Sequence, residues 1–295
     1  MSNFTQSSKI GFIGAGMVGR SLATALSQQG YTIVAVASRT HSSALALAEL
    51  VAGCRAYPTA GQAAEASDVV LITASDDAIL PVASSVSWRH GQGVVHCSGA
   101  ASLDVLEPAQ LQGAIPGAFH PLQTFSSVED ALRSLPGSTF AIEGNVEMRT
   151  YLQDMALALG GNPIFLRPED KPLYHATVVM VGGLLTGLAG AVAELWEHFG
   201  IGQAEALRAL APIIRGDTDT LLSVGMPDAI AGPYVRGDVG TITKHLNALR
   251  SAAPDILPVY CEMALSGLHF ALEKGNVPPE RAAQMREMLV QAKGA

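Results

Sequence analysis

Charge is scarce in this chain. Asp, Glu, Lys and Arg make up 15% of its 295 residues, and the balance is acidic, with 18 Lys and Arg against 26 Asp and Glu. No basic cluster occurs anywhere. Proteins that hold nucleic acid neutralise phosphates with such clusters, so a nucleic-acid partner is not expected. Cysteine is equally sparse. Cys54, Cys97 and Cys261 lie far apart, and no CxxC pair or His/Cys cluster suggests a metal. An odd count, with polar residues from Ser2 to Ser8 and no secretory apolar region, points to reduced thiols and a cytoplasmic setting.

Long apolar runs are also few. Ala176 to Ala193 carries no charge over 18 residues, the lower limit for a membrane span. It is rich in Gly, Ala and Thr, its flanks carry no positive cluster, and Glu194 and Glu197 follow at once. It therefore reads as a helix buried on every side within a protein core, with no membrane partner. Gly183 and Gly187 have the spacing that lets helix backbones approach closely.

What the chain does contain is apolar substance, at 48% of residues. That suffices for a large core, and the length suggests two domains. Ile10 to Ile13 reads as a short buried strand, Ser21 to Gln29 as an amphipathic helix closed by Gly30, and Tyr31 to Ala37 as a second buried strand. Between the first strand and the helix stands Gly14-Ala15-Gly16-Met17-Val18-Gly19. Strand, glycine turn, helix and strand follow the order a dinucleotide site requires. Gly14 permits the tight turn, Gly16 admits a pyrophosphate close to the backbone, and Gly19 seats the helix near the strand. The free N–H groups and positive dipole end of the helix then face the phosphates, and Met17 and Val18 of the same loop are further candidate cofactor contacts.

The end of the second strand separates two cofactors. An NAD site places a carboxylate there, whereas an NADP site meets the 2′-phosphate with Arg. This chain has Ser38-Arg39-Thr40 and no carboxylate before Glu49. A guanidinium binds phosphate through two parallel hydrogen bonds, so NADP is expected.

Further on, His41 to Val51 reads as a helix. Val69 to Thr73 and Gly93 to Cys97 read as the fourth and fifth strands. Thr139 to Glu143 and Pro163 to Leu166 read as two more, flanking a helix from Val146 to Leu159. This alternation implies an α/β fold with a doubly wound parallel sheet. Ligands in such sheets bind beyond the carboxyl ends of the strands. Ser75, Asp76, Ser98 and Gly99 are therefore expected to line the cofactor crevice. His120, beside Pro121, reads as a loop residue after an apolar strand. Residues 1–167 are expected to form the dinucleotide-binding domain. Residues 168–295 are expected to form an all-helical substrate and dimerisation domain, with breaks at Gly200, Gly225, Gly232, Pro254 and Pro278.

Three strings stand out: His120-Pro-Leu-Gln-Thr-Phe125, Lys171-Pro-Leu-Tyr-His175, and Gly232-Pro-x-x-Arg236-Gly-Asp238-x-x-Thr241-x-x-x-His245. With the glycine loop, the chain resembles the Rossmann-like oxidoreductases whose helical half is a domain of unknown function. These are relatives of pyrroline-5-carboxylate reductase, ketopantoate reductase and the β-hydroxyacid dehydrogenases. The resemblance spans nearly the whole chain and implies a Rossmann domain, an NADP cofactor and a homodimer built on the helical half. One departure is visible. Relatives place an Asn two turns after the Tyr-His pair, where this chain has Val181-Gly182-Gly183.

Reduction of a carbonyl or imine needs a proton donor within hydrogen-bond reach of the reacting group. The resemblance implies the catalytic lysine of related dehydrogenases at Lys171. His175 follows at i+4 on the same helix face, where the two would depress each other's proton affinity. His120 is a third candidate. Gln123 and Thr124 are candidate substrate contacts. Arg236 suits bidentate binding of a substrate carboxylate, or else an ion pair within the protein, and Asp238 suits a helix N-cap. Thr241 and His245 share a helix face and are further candidate substrate contacts. The expected function is an NADPH-dependent reductase moving a hydride between nicotinamide and a small carbonyl or hydroxy acid. The alternatives are a cyclic-imine reductase like pyrroline-5-carboxylate reductase and an NADPH-binding sensor without turnover.

Overall fold

The computed structural model describes residues 4–294. It divides into two compact units, 1–182 and 183–295. The first unit opens with β1 (Lys9–Ile13), α1 (Met17–Gln28), β2 (Thr32–Ala37), α2 (His41–Leu50), β3 (Arg55–Tyr57), α3 (Ala60–Glu65), β4 (Val69–Ile72), α4 (Asp76–Ser85) and β5 (Gly93–His96). A short α5 (Glu107–Gln110) leads to β6 (Ile115–Leu122), α6 (Val128–Ser134), β7 (Thr139–Gly144), α7 (Val146–Ala158), β8 (Asn162–Phe165) and α8 (Lys171–Val179).

The strands form one sheet in the order β3-β2-β1-β4-β5-β6-β7-β8. Every adjacent pair is parallel except β6 with β7. The expected doubly wound sheet is therefore present, with one antiparallel step. β4 and β5 are buried along their whole length, as continuous apolar runs must be when helices cover both sheet faces. The core on one face gathers Phe12, Leu22, Leu26, Phe119, Phe140 and Leu152.

Three expectations need correction. His120 does not lie in a loop. It sits within β6 and pairs with Ala141 of β7. Pro121 next to it suggested an end to regular structure, but the strand carries this proline opposite Phe140 without breaking. Secondly, the boundary between units does not fall at residue 167. The first turn of α8 buries Lys171 against the sheet, so the start of the helical run belongs to the first unit. Thirdly, the Ala176–Ala193 stretch is not enclosed. The helical run from Pro168 to Phe199 is long and apolar enough to cross a membrane by length and composition, yet only 6% of its apolar window is buried. Leu173, Met180, Val181 and Leu184 are all more than half exposed. A Cβ at Gly183 or Gly187 would meet nothing within 4 Å. Apolar character on every face predicts that a helix will be covered, but it cannot say by what.

The second unit contains α9 (Leu185–Leu195), α10 (Gln203–Val224), α11 (Val239–Ala252), α12 (Leu257–Glu273) and α13 (Pro279–Lys293). A π-helical turn over Met180–Leu184 joins α8 to α9. The core of this unit is built from Ile242, Leu246, Leu257, Leu268, Met285 and Leu289. The helix breaks fall at the glycines and prolines expected from the sequence. Gly200 and Gly225, for example, close helical segments at φ of 75° and 70°.

Candidate functional site

The turn between β1 and α1 is shaped by three different constraints. Gly14 has φ of 109°, and a Cβ there would lie 2.6 Å from the Thr73 carbonyl carbon at the end of β4. A Cβ at Gly19 would lie 2.5 Å from the Gly14 oxygen. Both positions must stay glycine for the helix, turn and sheet to close together. Gly16 is different. A Cβ there would meet nothing within 4 Å, so its lack of a side chain serves open space rather than packing. Gly16 caps α1 without a side-chain bond, and the first turn carries no acidic residue. The N–H groups of Met17 and Val18 therefore head an uncompensated positive helix end. These features fit a pyrophosphate.

Ser38 lies at the end of β2 and is half-buried, whereas Arg39 and Thr40 are exposed. Arg39 makes no ion pair among the described residues, so its guanidinium is available to a phosphate. Ser75 and Asp76 are exposed at the start of α4, and the Ser75 hydroxyl makes no capping bond. These residues stand where the sequence reading put them, at the carboxyl ends of their strands.

The turn after β5 is tied down from several sides. The Ser98 Oγ accepts from the N–H groups of Ala100 and Ala101, at 3.2 and 3.0 Å. The Ser98 N–H donates to His96 Nδ1 at 3.2 Å, and His96 Nε2 lies 3.2 Å from the Ser102 oxygen. His96 is fully buried, and burial together with nearby Lys171 pushes its pKa down to about 3. It is a neutral bracket for this turn.

Gly99 lies directly beneath two imidazoles. A Cβ there would stand 2.6 Å from a carbon of the His175 ring and 2.8 Å from His120 Nε2. The two rings are 6.0 Å apart, edge to face. His120 Nδ1 lies 3.0 Å from the Tyr174 hydroxyl. Burial is the main cause that pulls His120 down to about 4, with His175 and Lys171 adding to it and Asp76 opposing. At neutral pH His120 is uncharged. The Tyr174 phenol is pushed up to about 12 by burial, so it keeps its proton. The Lys171 and His175 face was legible in the sequence, but Tyr174 was overlooked. It follows Lys171 at i+3, which places it on that same face.

Lys171 is only 2% exposed. Its Nζ lies 3.4 Å from the Ser98 oxygen and 3.7 Å from Glu143 Oε2 of β7. Burial lowers the lysine's proton affinity and raises that of Glu143, and each charge opposes the other's shift. Cys97 is near enough to feel Lys171, but burial dominates and pushes its thiol up to about 12.

Other candidates are occupied elsewhere. The Gln123 amide donates to the Ser134 oxygen and Ser138 Oγ, at 3.0 and 3.1 Å, and accepts from the Thr124 N–H at 2.8 Å. It braces a turn, and Thr124 is exposed beside it. Arg236, Thr241 and His245 belong to the second unit. Asp238 caps α11 as expected, accepting from the Thr241 N–H at 3.0 Å and from the Thr241 hydroxyl at 2.6 Å. His245 Nδ1 lies 3.0 Å from the Tyr260 hydroxyl. Arg236 is exposed and makes no ion pair among the described residues.

Residues 3–121 match the family described as a Rossmann-like domain, and residues 138–266 match a domain of unknown function, DUF2520. No curated protein matches the chain. Among solved structures, a Bacteroides fragilis protein assigned as an NADP oxidoreductase is 23% identical, with a TM-score of 0.72 over 90% of this chain and 99% of that one. A reductive aminase from Aspergillus terreus, solved with NADPH and ethyl-5-oxohexanoate, is 19% identical. Its TM-score is 0.60 over 97% of this chain and 93% of its own. The 1-pyrroline-5-carboxylate reductase of Streptococcus pyogenes is 16% identical, with a TM-score of 0.61 over 99% of this chain and 100% of that one. At these identities the likeness establishes the fold.

Proposed function

We propose that this chain, a Rossmann-like domain followed by a DUF2520 domain, is an NADPH-dependent reductase of a small carbonyl or imine compound. The observation that carries the reading is the Tyr174–His120 contact of 3.0 Å. It places a phenolic proton at the carboxyl edge of the sheet that also holds the glycine turn. Likeness to the NADPH-bound reductive aminase supports the cofactor, and so does Arg39, which makes no ion pair among the described residues.

Gly16 and the α1 N-terminus would hold the pyrophosphate, and Ser38, Arg39 and Thr40 the 2′-phosphate. Bound NADPH would supply the hydride. The protein handles the proton. Tyr174 donates from its hydroxyl to the oxygen or nitrogen that gains charge, and His120 Nδ1 orients that hydroxyl and can exchange its proton. His175 forms the other wall above Gly99. Lys171 is too enclosed to reach substrate in this arrangement, and its charge acts from behind the rings.

The test is NADPH oxidation against a panel of 2-keto acids, β-keto acids and cyclic imines. Turnover with any member supports the reading, and the preferred member separates carbonyl from cyclic-imine reduction. Tight NADPH binding with no substrate-dependent oxidation would identify a sensor instead. We further propose a cytoplasmic homodimer in which a second copy covers the exposed apolar helix.

A further inference from the structure

His96, Ala118 and Glu143 stand at matched register on β5, β6 and β7, since His96 pairs with Ala118 and Ala118 with Glu143. Residues directly opposite each other on neighbouring strands share a sheet face. His120, two residues beyond Ala118, shares it too, and so does its partner Ala141. The row thus carries three titratable groups separated by two alanines. Lys171 reaches this row from α8. Its ammonium meets Glu143 on one side and the Ser98 carbonyl on the other.

This arrangement is difficult to explain as stabilisation. A buried ion pair seldom outperforms apolar residues of the same volume. Glu143 and Lys171 are 4% and 2% exposed, and Glu143 Oε2 has no hydrogen-bond partner. A pair maintained under those terms has another use.

We propose that Glu143 and Lys171 form a buried positioning pair that fixes the Ser98–Gly99 turn beneath His120 and His175 and places a positive charge behind His120. The proposal rests on the reductase reading above. Glu143 keeps Lys171 protonated despite burial. Lys171 anchors the Ser98 carbonyl and adds to the burial and the His175 effect that keep His120 neutral, the form that can exchange a proton with Tyr174. The groups facing His120 are Lys171, Tyr174 and His175 of α8, His96 of β5 and Asp76 of α4. Asp76 alone among them favours the charged ring, and burial, His175 and Lys171 outweigh it.

The experiment compares wild type with Glu143→Gln, Lys171→Met and the double variant Glu143→Leu/Lys171→Met, each as the full chain with NADPH. Glu143→Gln leaves an unpaired ammonium and is expected to lower the thermal midpoint. The double variant is expected to recover it. Long-range NMR of histidine side chains, with His120 identified by a His120→Gln spectrum, then reports its titration. In wild type the midpoint is expected near 4. In Lys171→Met and in the double variant it is expected to rise, and the acid limb of the kcat profile should rise with it. A folded double variant whose His120 titrates as in wild type overturns the proposal. The His120 midpoint needs no turnover. If it moves as expected while even wild type oxidises no NADPH with any substrate, the reductase reading fails and the pair's hold on His120 stands.

Discussion

The Tyr174 hydroxyl and His120 Nδ1 lie 3.0 Å apart, joining the first helix of the apolar run to the antiparallel step of the sheet. Neither residue can be moved without disturbing the other, because the His120 ring also stands edge-on to Tyr174 with centroids 5.7 Å apart. Tyr174→Phe keeps the ring and removes the hydroxyl, with its proton and its contact to His120. Its kcat is expected to fall by roughly 10² or more, the usual worth of a general acid, while NADPH affinity stays within about twofold of wild type. A Phe variant with wild-type kcat would move the donor to His175.

The glycine turn separates binding from folding. Gly16 faces open space, whereas a Cβ at Gly19 would stand 2.5 Å from the Gly14 oxygen. Gly16→Val is expected to leave the thermal midpoint nearly unchanged and to weaken NADPH at least tenfold, about 1.4 kcal/mol. Gly19→Ala is expected to behave in the opposite order, losing about 1–3 kcal/mol of stability to overpacking. Calorimetric titration alongside thermal melts distinguishes them. Equal NADPH affinity in Gly16→Val would contradict the pyrophosphate assignment.

Arg39 tests cofactor choice. It is exposed and makes no ion pair among the described residues. Arg39→Ala should weaken NADPH by about tenfold or more and leave NADH almost untouched, because only NADPH carries the 2′-phosphate. An equal loss for both would place Arg39 against the adenine instead.

Two histidines make stability depend on pH. His120 and His96 have folded pKa values of about 4 and about 3, below the ordinary 6.5. Above pH 6.5 both rings are neutral in either state. As pH falls below 6.5 the unfolded chain takes up protons that the folded chain refuses, so the unfolded state gains. Stability should therefore decline from pH 6.5 down to about 4 for His120, and further to about 3 for His96. His120→Gln should flatten the upper part of the decline in chemical unfolding curves. An unaltered slope would mean that the ring is charged in the fold.

What the sequence revealed follows the range of each interaction. Gly14 and Gly19 were legible because a tight turn and a helix packed on its own strand are set within a few residues. Asp238 was legible for the same reason, since a capping side chain reaches only three residues along. His120 was misplaced because Pro121 signals a break locally, and only pairing with β7 shows that the strand continues through it. Glu143 carried no signal at all. Its meaning comes from register with Ala118 and from a lysine on a distant helix, neither of which leaves a local pattern. The apolar run was misread as a core helix, because apolar character on every face is local whereas burial depends on what packs against it, and most of this run is exposed.

That run yields the last prediction. Leu173, Met180, Val181 and Leu184 are exposed by 60–72%. Exposed apolar patches of this kind mark interaction sites. Gly183, Gly187 and Gly190 have open space where a side chain would stand, so a second backbone can come close without hindrance. A second copy of the chain brings the same surface, and a twofold interface needs only that one patch to be self-complementary. Light scattering at micromolar concentration is expected to give the mass of two chains in detergent-free buffer. Val181→Asp should shift the mass toward one chain, because a carboxylate on each copy would be desolvated in the same interface. Gly187→Leu should act likewise by preventing close approach. A wild-type mass of one chain would reject the dimer. Recovery of the wild type only with detergent or vesicles would assign the run to a membrane instead.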